Sequence, residues 1–287
     1  MQIWMIYALV AAVFASGTNV LAKAGLAGVG SNVATLVRAV VALLFTWIVV
    51  FSQGLHLQLG AVDSTTLLFL VLSGLSAGGS WLCFLYALKL GPVQYVMPLD
   101  KSSIVITMVL SAILFAEPLT VLSVLGIVAI LSGTYLMINI PKDPDKRQTK
   151  DKKWIVYALL GAVFCSLTTI FGRMGIVGIH ATLGVAIRTI VIIPMSLIMI
   201  KATKQSFAIS DKKKWLYLVG SGLCTGFSWL FFYRALQVGH VLAVVSLDRL
   251  SIVLACLLAA VFFKERMTKK TVLGLAVLVT GTMLVVF

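Results

Sequence analysis

Long apolar runs separated by short polar segments recur along almost the whole chain. Each run is close to the roughly 20 residues that an α-helix needs to cross about 30 Å of hydrocarbon. None alternates strictly between apolar and polar residues, as a barrel strand would. The runs predicted to be transmembrane helices are 3–24, 33–51, 66–89, 93–115, 120–140, 154–174, 182–200, 215–238, 241–263 and 270–287. The pattern therefore predicts an all-α integral membrane protein with ten transmembrane helices.

The second half of the chain repeats the order of the first. Tyr7-Ala8-Leu9 returns as Tyr157-Ala158-Leu159, and Ser80-Trp81-Leu82 returns as Ser228-Trp229-Leu230. Matches that keep the same order over such a distance indicate a duplicated five-helix unit. The predicted parts are a first repeat over 1–140, a charged linker over 141–153 and a second repeat over 154–287.

The odd number of helices in each repeat predicts that the second repeat crosses the membrane upside down relative to the first. Many secondary transporters have such inverted repeats, with the binding site near the midplane between them. The loops after the second and fourth runs contain no Lys or Arg, whereas the equivalent loops of the second repeat and the linker are rich in both. By the positive-inside rule the basic loops are cytoplasmic, so both termini face the opposite side.

Two acid–base pairs lie inside apolar runs. Asp100-Lys101 falls in the fourth predicted helix, and Asp248-Arg249 has the equivalent place in the ninth. Ionisable groups at membrane depth cost about 3 kcal/mol each on insertion scales, so a repeated pair indicates a requirement for it. Two interpretations stay open. These groups bind a charged or zwitterionic substrate, or they form reciprocal ion pairs of Asp100 with Arg249 and of Asp248 with Lys101.

Polar residues also recur three or four positions apart, which places them on one face of a helix. We expect these faces to converge on a shared polar cavity. In the alternative interpretation the hydroxyl groups bond to backbone carbonyls and help the helices to pack. Trp81 and Trp229 stand beside the serines, either as aromatic walls of the cavity or as packing residues. The predicted substrate-binding or gating residues are Asp100, Lys101, Asp248, Arg249, Ser103, Ser251, Ser80, Trp81, Ser228, Trp229, Asn19 and Thr169.

Three further expectations concern residues outside that set. Arg38 and Arg188 lie early in their runs, so we expect them to extend to the lipid headgroups, with contact to a ligand as the alternative. Pro98 removes a backbone donor just before Asp100 and is a candidate hinge. Two glycine pairs, seven residues apart in the fifth and tenth runs, predict smooth faces for close packing of scaffold helices; they are Gly126 with Gly133 and Gly274 with Gly281.

The composition excludes several classes of protein. With 61% hydrophobic and 11% charged residues, the chain cannot form a water-soluble globule. The formal net charge of +14 lies mostly in short loops, which favours membrane orientation over nucleic-acid binding. The sequence has no phosphate-binding loop, metal-ligand spacing or set of catalytic residues, so we expect no cofactor, no direct use of ATP and no enzymatic activity.

The duplicated unit contains Ser-Trp-Leu, Ala-Leu-x-x-Gly and Asp-Lys or Asp-Arg, followed by Glu-Pro-Leu-Thr at 117–120 and Glu-Arg-Met-Thr at 265–268. In this combination the chain resembles the EamA family of the drug/metabolite transporter superfamily. The resemblance implies transport of a small metabolite, such as an amino acid, an amine or a similar polar or charged solute, by alternating access. It also implies a central cavity lined mainly by helices one, three, four, six, eight and nine.

The expected setting is the cell membrane, as a multi-pass protein of a bacterial or archaeal inner membrane. Expected partners are a small-molecule substrate and membrane lipids, with protons as the candidate coupling ion and no nucleic acid. A monomer is expected, with a dimer as the alternative. The rival functions are a flippase for a lipid-linked substrate within the same superfamily and, as a weaker candidate, a membrane-embedded enzyme.

Overall fold

The computed structural model describes residues 2–26, 29–90, 96, 99–137, 153–203, 205, 211–263 and 267–287. Its helices are α1 (Ile3–Gly25), α2 (Ser31–Ser52), α3 (Ser64–Leu90), α4 (Ser103–Phe115), α5 (Val121–Met137), α6 (Lys153–Met174), α7 (Ala181–Thr203), α8 (Lys212–Val238), α9 (Val241–Asp248), α10 (Leu250–Phe262) and α11 (Lys269–Val286). A 3₁₀ helix, Leu55–Ala61, joins α2 to α3. The described residues contain no strand, so the all-α prediction is confirmed for them.

Within the described residues, 8 helical segments are long and apolar enough to cross a membrane, and α5 is a shorter apolar helix of 17 residues. One of these segments, Val241–Phe262, comprises α9 and α10. The first part of the fourth predicted helix, including Pro98, lies outside the described residues apart from Val96, as does the predicted linker apart from Lys153. Length and composition therefore identify a multi-pass membrane protein.

The most extensive helix contacts join the two halves of the sequence. α1 packs along α8, and the equivalent helices α6 and α3 pack along each other. In addition, α2 contacts α7 and α8, and α3 contacts α7. The two halves therefore interlock, and each completes the helix packing of the other.

Glycines permit the close approach of α3 to α7 and of α8 to α2. A Cβ atom added at Gly74 would lie 2.7 Å from the Cβ of Val191, and one at Gly222 would lie 2.6 Å from the Cβ of Val41. Both distances are far shorter than real carbon–carbon contacts, so a larger residue would force the helices apart. These two contacts join equivalent positions of the two halves.

Equivalent serines join neighbouring helices by hydrogen bonds to the backbone. The Ser73 hydroxyl donates to the Thr168 carbonyl at 2.7 Å, which holds α3 to α6. The Ser221 hydroxyl donates to the Thr18 carbonyl at 2.8 Å, which holds α8 to α1. At these positions the polar faces serve helix packing, as the alternative interpretation of the sequence expected.

The glycine faces of α5 and α11 pack directly against each other. A Cβ atom on Gly126 would lie 2.6 Å from the Gly281 carbonyl oxygen, and one on Gly133 would lie 2.6 Å from the Gly274 carbonyl oxygen. The pairing runs in opposite directions along the two helices, so they are antiparallel. The prediction that these glycines permit close packing is confirmed.

We predict that Gly126→Ala destabilises the protein, because its new methyl group meets the backbone of α11. Overpacking of this kind costs about 1–3 kcal/mol. Gly60→Ala is the matched control, since a Cβ atom at Gly60 has no neighbour within 4 Å. Thermal unfolding in detergent measures both variants. Equal melting temperatures for the two variants would contradict the close contact of α5 with α11.

Candidate functional site

A cavity of about 200 Å³ lies among α3, α6, α7 and α8. We call it the aromatic cavity. Its lining residues are Ala77, Ser80, Trp81, Cys165, Thr168, Thr169, Arg188, Ile192, Trp229, Phe232 and Tyr233. Of the predicted site residues, it brings together Ser80, Trp81, Thr169 and Trp229. Helices from both halves of the sequence therefore form its wall.

Arg188 provides the positive charge of the aromatic cavity. Its side chain is only 4% exposed, and its Cζ atom lies 5.6 Å from the ring centroid of Trp229 and 4.8 Å from that of Tyr233. These distances are typical of cation–π contacts, in which an aromatic ring attracts a guanidinium group. The Nε atom of Arg188 is buried and has no hydrogen-bond partner among the described residues.

The expectation that Arg188 extends to the lipid headgroups is wrong. Every residue of α7 from Ala181 to Thr189 is buried, because α2, α3 and α8 surround this part of the helix. The side chain therefore has no path along a lipid-exposed surface and points into the protein. Arg188 is the eighth residue of an apolar helix, which was the available sign that it is buried. The sequence could not show which neighbouring helices enclose it.

The hydroxyl groups in the wall of the aromatic cavity are anchored to neighbouring backbone. Ser80 donates to the Gly161 carbonyl at 3.0 Å, and Thr168 donates to the Phe164 carbonyl at 3.0 Å. Their oxygens keep lone pairs that can accept hydrogen bonds from a bound molecule. Ser80 thus joins α3 to α6 and lines the cavity at the same time.

A second cavity, of about 400 Å³, lies between α1, α10 and α11. We call it the Asn19 cavity; its lining residues are Asn19, Val20, Lys23, Ile252, Ala255, Cys256, Ala259, Met267 and Thr271. The Lys23 ammonium lies 5.4 Å from the ring centroid of Phe263. The equivalent residue, Arg173, lies 5.9 Å from the ring centroid of Phe115. The two halves therefore repeat a cation–π contact near the ends of α1 and α6.

The acid–base pairs do not form the reciprocal bridges that were one interpretation of the sequence. The Lys101 ammonium instead donates to the carboxylate of its neighbour Asp100 at 3.2 Å. Asp248 interacts electrostatically with Arg249 and Lys101, but no ion pair within 4 Å joins it to either among the described residues. No ion pair within 4 Å joins Asp100 to Arg249 among the described residues, so this predicted bridge is not formed in the structure.

Both acid–base pairs lie at an interruption of a helix. Asp248 ends α9, and α10 begins at Leu250 after a turn in which the Arg249 N–H donates to the Ser246 carbonyl at 3.1 Å. In the first half, Ser102 forms the corresponding turn just before α4. Pro98 lies outside the described residues, but its equivalent in the second half is Ser246, so the second interruption occurs without a proline.

The remaining predicted serines are buried and line neither cavity. The Ser103 carbonyl accepts the Ser166 hydroxyl at 2.6 Å, so it joins α4 to α6. Ser228 and Ser251 are 6% and 7% exposed. In this structure the three residues contribute to helix packing rather than to the lining of either cavity.

Glu117 has a role that the sequence did not reveal. Its carboxylate accepts the N–H groups of Val241 at 2.5 Å and Leu242 at 3.2 Å, the first two residues of α9. The first N–H groups of a helix lack partners within it and favour a negative charge. No local pattern could indicate this contact, because it joins residues 124 positions apart. The equivalent residue, Glu265, lies outside the described residues.

Two titratable groups outside the membrane-spanning helices are shifted, and hydrogen bonds from Thr65 lower the pKa of one of them, the exposed Asp63. Burial, and then the nearby charge of Arg234, lower the pKa of His180 at the start of α7. The neutral imidazole is therefore favoured at neutral pH. No group of three or more His, Cys, Asp or Glu side chains in the described part of the chain is arranged to hold a metal ion.

The model of the EamA-like transporter family matches residues 2–139 and 152–287. The chain belongs to this family. An "Uncharacterized transporter in cobO 3'region" from Sinorhizobium sp. is 40% identical over 136 residues, which are 47% of this chain and 96% of the relative. A solved structure described as "Crystal structure of protein" has a TM-score of 0.79 and 18% identity over 97% of this chain and 96% of its own.

These comparisons establish that this EamA-like protein is a membrane transporter, and they confirm the resemblance found in the sequence. The solved structure, at 18% identity, supports the fold alone. The two matched regions lie on either side of residues 140–151.

We predict that Glu117→Ala destabilises the protein by about 1.5–3 kcal/mol, because it leaves two N–H groups of α9 without a charged acceptor. Glu117→Gln keeps one acceptor oxygen and should lose less. Asp211→Ala is the matched control; Asp211 accepts the Lys213 N–H at 2.9 Å as an exposed cap of α8. Thermal unfolding compares the three variants. A smaller loss for Glu117→Ala than for Asp211→Ala would contradict this role of Glu117.

Proposed function

We propose that this protein is a secondary transporter that moves a small polar or charged metabolite across the membrane by alternating access. The aromatic cavity is the observation that carries the proposal. It combines a buried cation, aromatic rings and hydroxyl oxygens, and helices from both halves form its wall. Concave sites with a few polar groups among apolar walls are typical of small-molecule binding.

The packing of equivalent helices supports ten spans in an inverted 5+5 repeat. In the repeat, Gly126 is equivalent to Gly274, and Gly133 is equivalent to Gly281. In the structure, Gly126 contacts Gly281 and Gly133 contacts Gly274. Such reciprocal antiparallel packing is expected from a twofold axis perpendicular to the helices. The packing of α1 against α8 and the packing of the equivalent helices, α6 against α3, have the same symmetry. Repeats of this kind support movement of one half against the other.

Equivalent residues with different surroundings support two alternative states. Thr169 lines the aromatic cavity, whereas its equivalent, Asn19, lines the Asn19 cavity. The interruptions at Ser102 and Arg249 further resemble the discontinuous helices that surround the binding sites of many transporters. We infer that a change at these turns opens the aromatic cavity to one side of the membrane and then to the other.

The rival functions have less support. A flippase for a lipid-linked substrate needs a cluster of basic residues for the phosphate, whereas the aromatic cavity has a single cationic residue, Arg188. An enzyme needs a nucleophile, a base and a group that orients it, and the residues that line the cavity include no His, Asp or Glu. We propose a cell membrane location in a bacterium or archaeon, a monomer and coupling to protons.

Uptake into proteoliposomes tests the function. We expect saturable accumulation of one class among labelled amino acids, amines, nucleosides and sugars, stimulated by an imposed proton gradient. Trp229→Ala should reduce uptake roughly 3- to 30-fold, because a cation–π contact beside the substrate is lost. Val128→Ala is the control, since Val128 lies on α5 and is 55% exposed. Chemical conversion of a compound without accumulation would support the enzyme, and transfer of lipid without solute uptake would support the flippase.

Sidedness provides a separate prediction. A reporter fused after Phe287 should behave as extracytoplasmic, because the basic loops of the second repeat then face the cytoplasm. A cysteine introduced at Lys146 should react with an impermeant thiol reagent only from the cytoplasmic side, in a variant without the four native cysteines. Cytoplasmic activity of the reporter would reverse the proposed orientation.

A further inference from the structure

We propose that Arg188 binds the carboxylate of a monoanionic metabolite in the aromatic cavity. The proposal rests on the transporter function and names its substrate class. It arises because Arg188 is buried, carries a full positive charge and lines a cavity in which no acid compensates it. An apolar interior makes such a charge expensive unless a partner neutralises it.

The surroundings of Arg188 show what is missing. Its Nε has no hydrogen-bond partner among the described residues. The ion pairs found between described residues, Lys101 with Asp100 and His240 with Glu117, do not include it. Trp229 and Tyr233 hold the guanidinium by cation–π contacts, which orient the group but leave its in-plane N–H donors for another molecule. A buried guanidinium with an unpartnered donor favours a negatively charged acceptor, because charge-assisted hydrogen bonds are the stronger ones.

Geometry and charge favour a carboxylate as that acceptor. The planar fork of a guanidinium matches the two oxygens of a carboxylate through parallel hydrogen bonds. A carboxylate also carries one negative charge, which balances the single positive charge of Arg188. A phosphate dianion would leave one charge uncompensated, because Arg188 is the only Lys or Arg among the residues that line the cavity.

The rest of the cavity indicates the body of the ligand. Trp81, Phe232 and Ile192 provide apolar surface, and the Ser80 and Thr169 hydroxyl groups provide limited polarity. The volume of about 200 Å³ is below the roughly 300–1,000 Å³ of sites for drug-sized molecules. We therefore expect a small carboxylate with an apolar or aromatic body. No acidic residue lines the cavity, so a simple amine has no partner for its charge.

Binding to the detergent-purified protein tests the proposal. The probes are benzoate with benzamide, phenylacetate with phenylacetamide, inorganic phosphate and phenethylamine, titrated by calorimetry and by tryptophan fluorescence. We expect each carboxylate to bind roughly 10- to 100-fold more tightly than its amide, because the charged hydrogen bonds are lost in the amide. Phosphate and phenethylamine should not compete. Equal affinities for acid and amide, or the absence of carboxylate binding, would overturn the proposal.

Variants locate the site within the protein. Arg188→Gln should weaken carboxylate binding roughly 10- to 100-fold and remove the preference over the amide, whereas Arg188→Lys should retain part of it. Arg38→Gln is the matched control, because Arg38 is the equivalent residue and does not line the aromatic cavity. If Arg188→Gln does not fold, the proposal is tested by carboxylate binding to Arg188→Lys and by the comparison of acids with amides. Unchanged binding by a folded Arg188→Gln protein would overturn the proposal.

The two proposals fail in distinguishable ways. If benzoate binds through Arg188 but no carboxylate accumulates in proteoliposomes, the carboxylate site stands and the transporter proposal fails for this class. If amines or sugars accumulate and carboxylates do not bind, the transporter stands and the role of Arg188 is overturned.

Discussion

The close approach of helices from opposite halves is the constraint on which the rest of the structure depends. Glycines such as Gly74 and Gly222 leave no room for a side chain between α3 and α7 or between α8 and α2. Without a hydrophobic driving force between helices in lipid, such close packing and interhelical hydrogen bonds supply much of the association energy. The same contacts enclose the first half of α7 and so remove Arg188 from lipid and water.

The two equivalent arginines have different neighbours, although the Nε atoms of both Arg38 and Arg188 are buried without a hydrogen-bond partner among the described residues. The first half has Leu85 at the position of Tyr233, so the contact of Arg188 with Tyr233 has no aromatic equivalent at Arg38. An inverted repeat with identical halves would form two similar sites. Divergence at a few positions instead gives the aromatic cavity and the Asn19 cavity different polar residues, while the α5–α11 pair keeps its symmetric glycine contacts.

The acid–base pairs do not line the aromatic cavity. Asp100 with Lys101 and Asp248 with Arg249 lie beside helix interruptions, where backbone N–H groups bond to the carbonyl three residues earlier instead of four. Opposite charges next to such turns reduce the cost of each ion in the membrane. Glu117 similarly stabilises the first residues of α9 from the other half of the chain. Charged side chains thus lie at the ends and interruptions of helices as well as in the aromatic cavity.

The sequence by itself determined the all-α class, the duplicated order and the family. These features depend on local composition and on matches along the chain, so no tertiary contact is needed to find them. It also indicated Ser80, Trp81, Thr169 and Trp229, because polar spacing on one helix face is a local property.

Only the tertiary structure decided which of these faces meet. The sequence placed Arg188 at the headgroups because it does not show which helices surround α7 and bury its first half. It did not reveal the role of Glu117, because the partner Val241 is 124 positions away. The lysine in the Asp100–Lys101 contact bends back within one turn, which the angle between neighbouring residues on an ideal helix did not predict. Residue spacing defines the face of a helix, whereas interhelical packing defines whether that face lines a cavity, bonds to backbone or meets another charge.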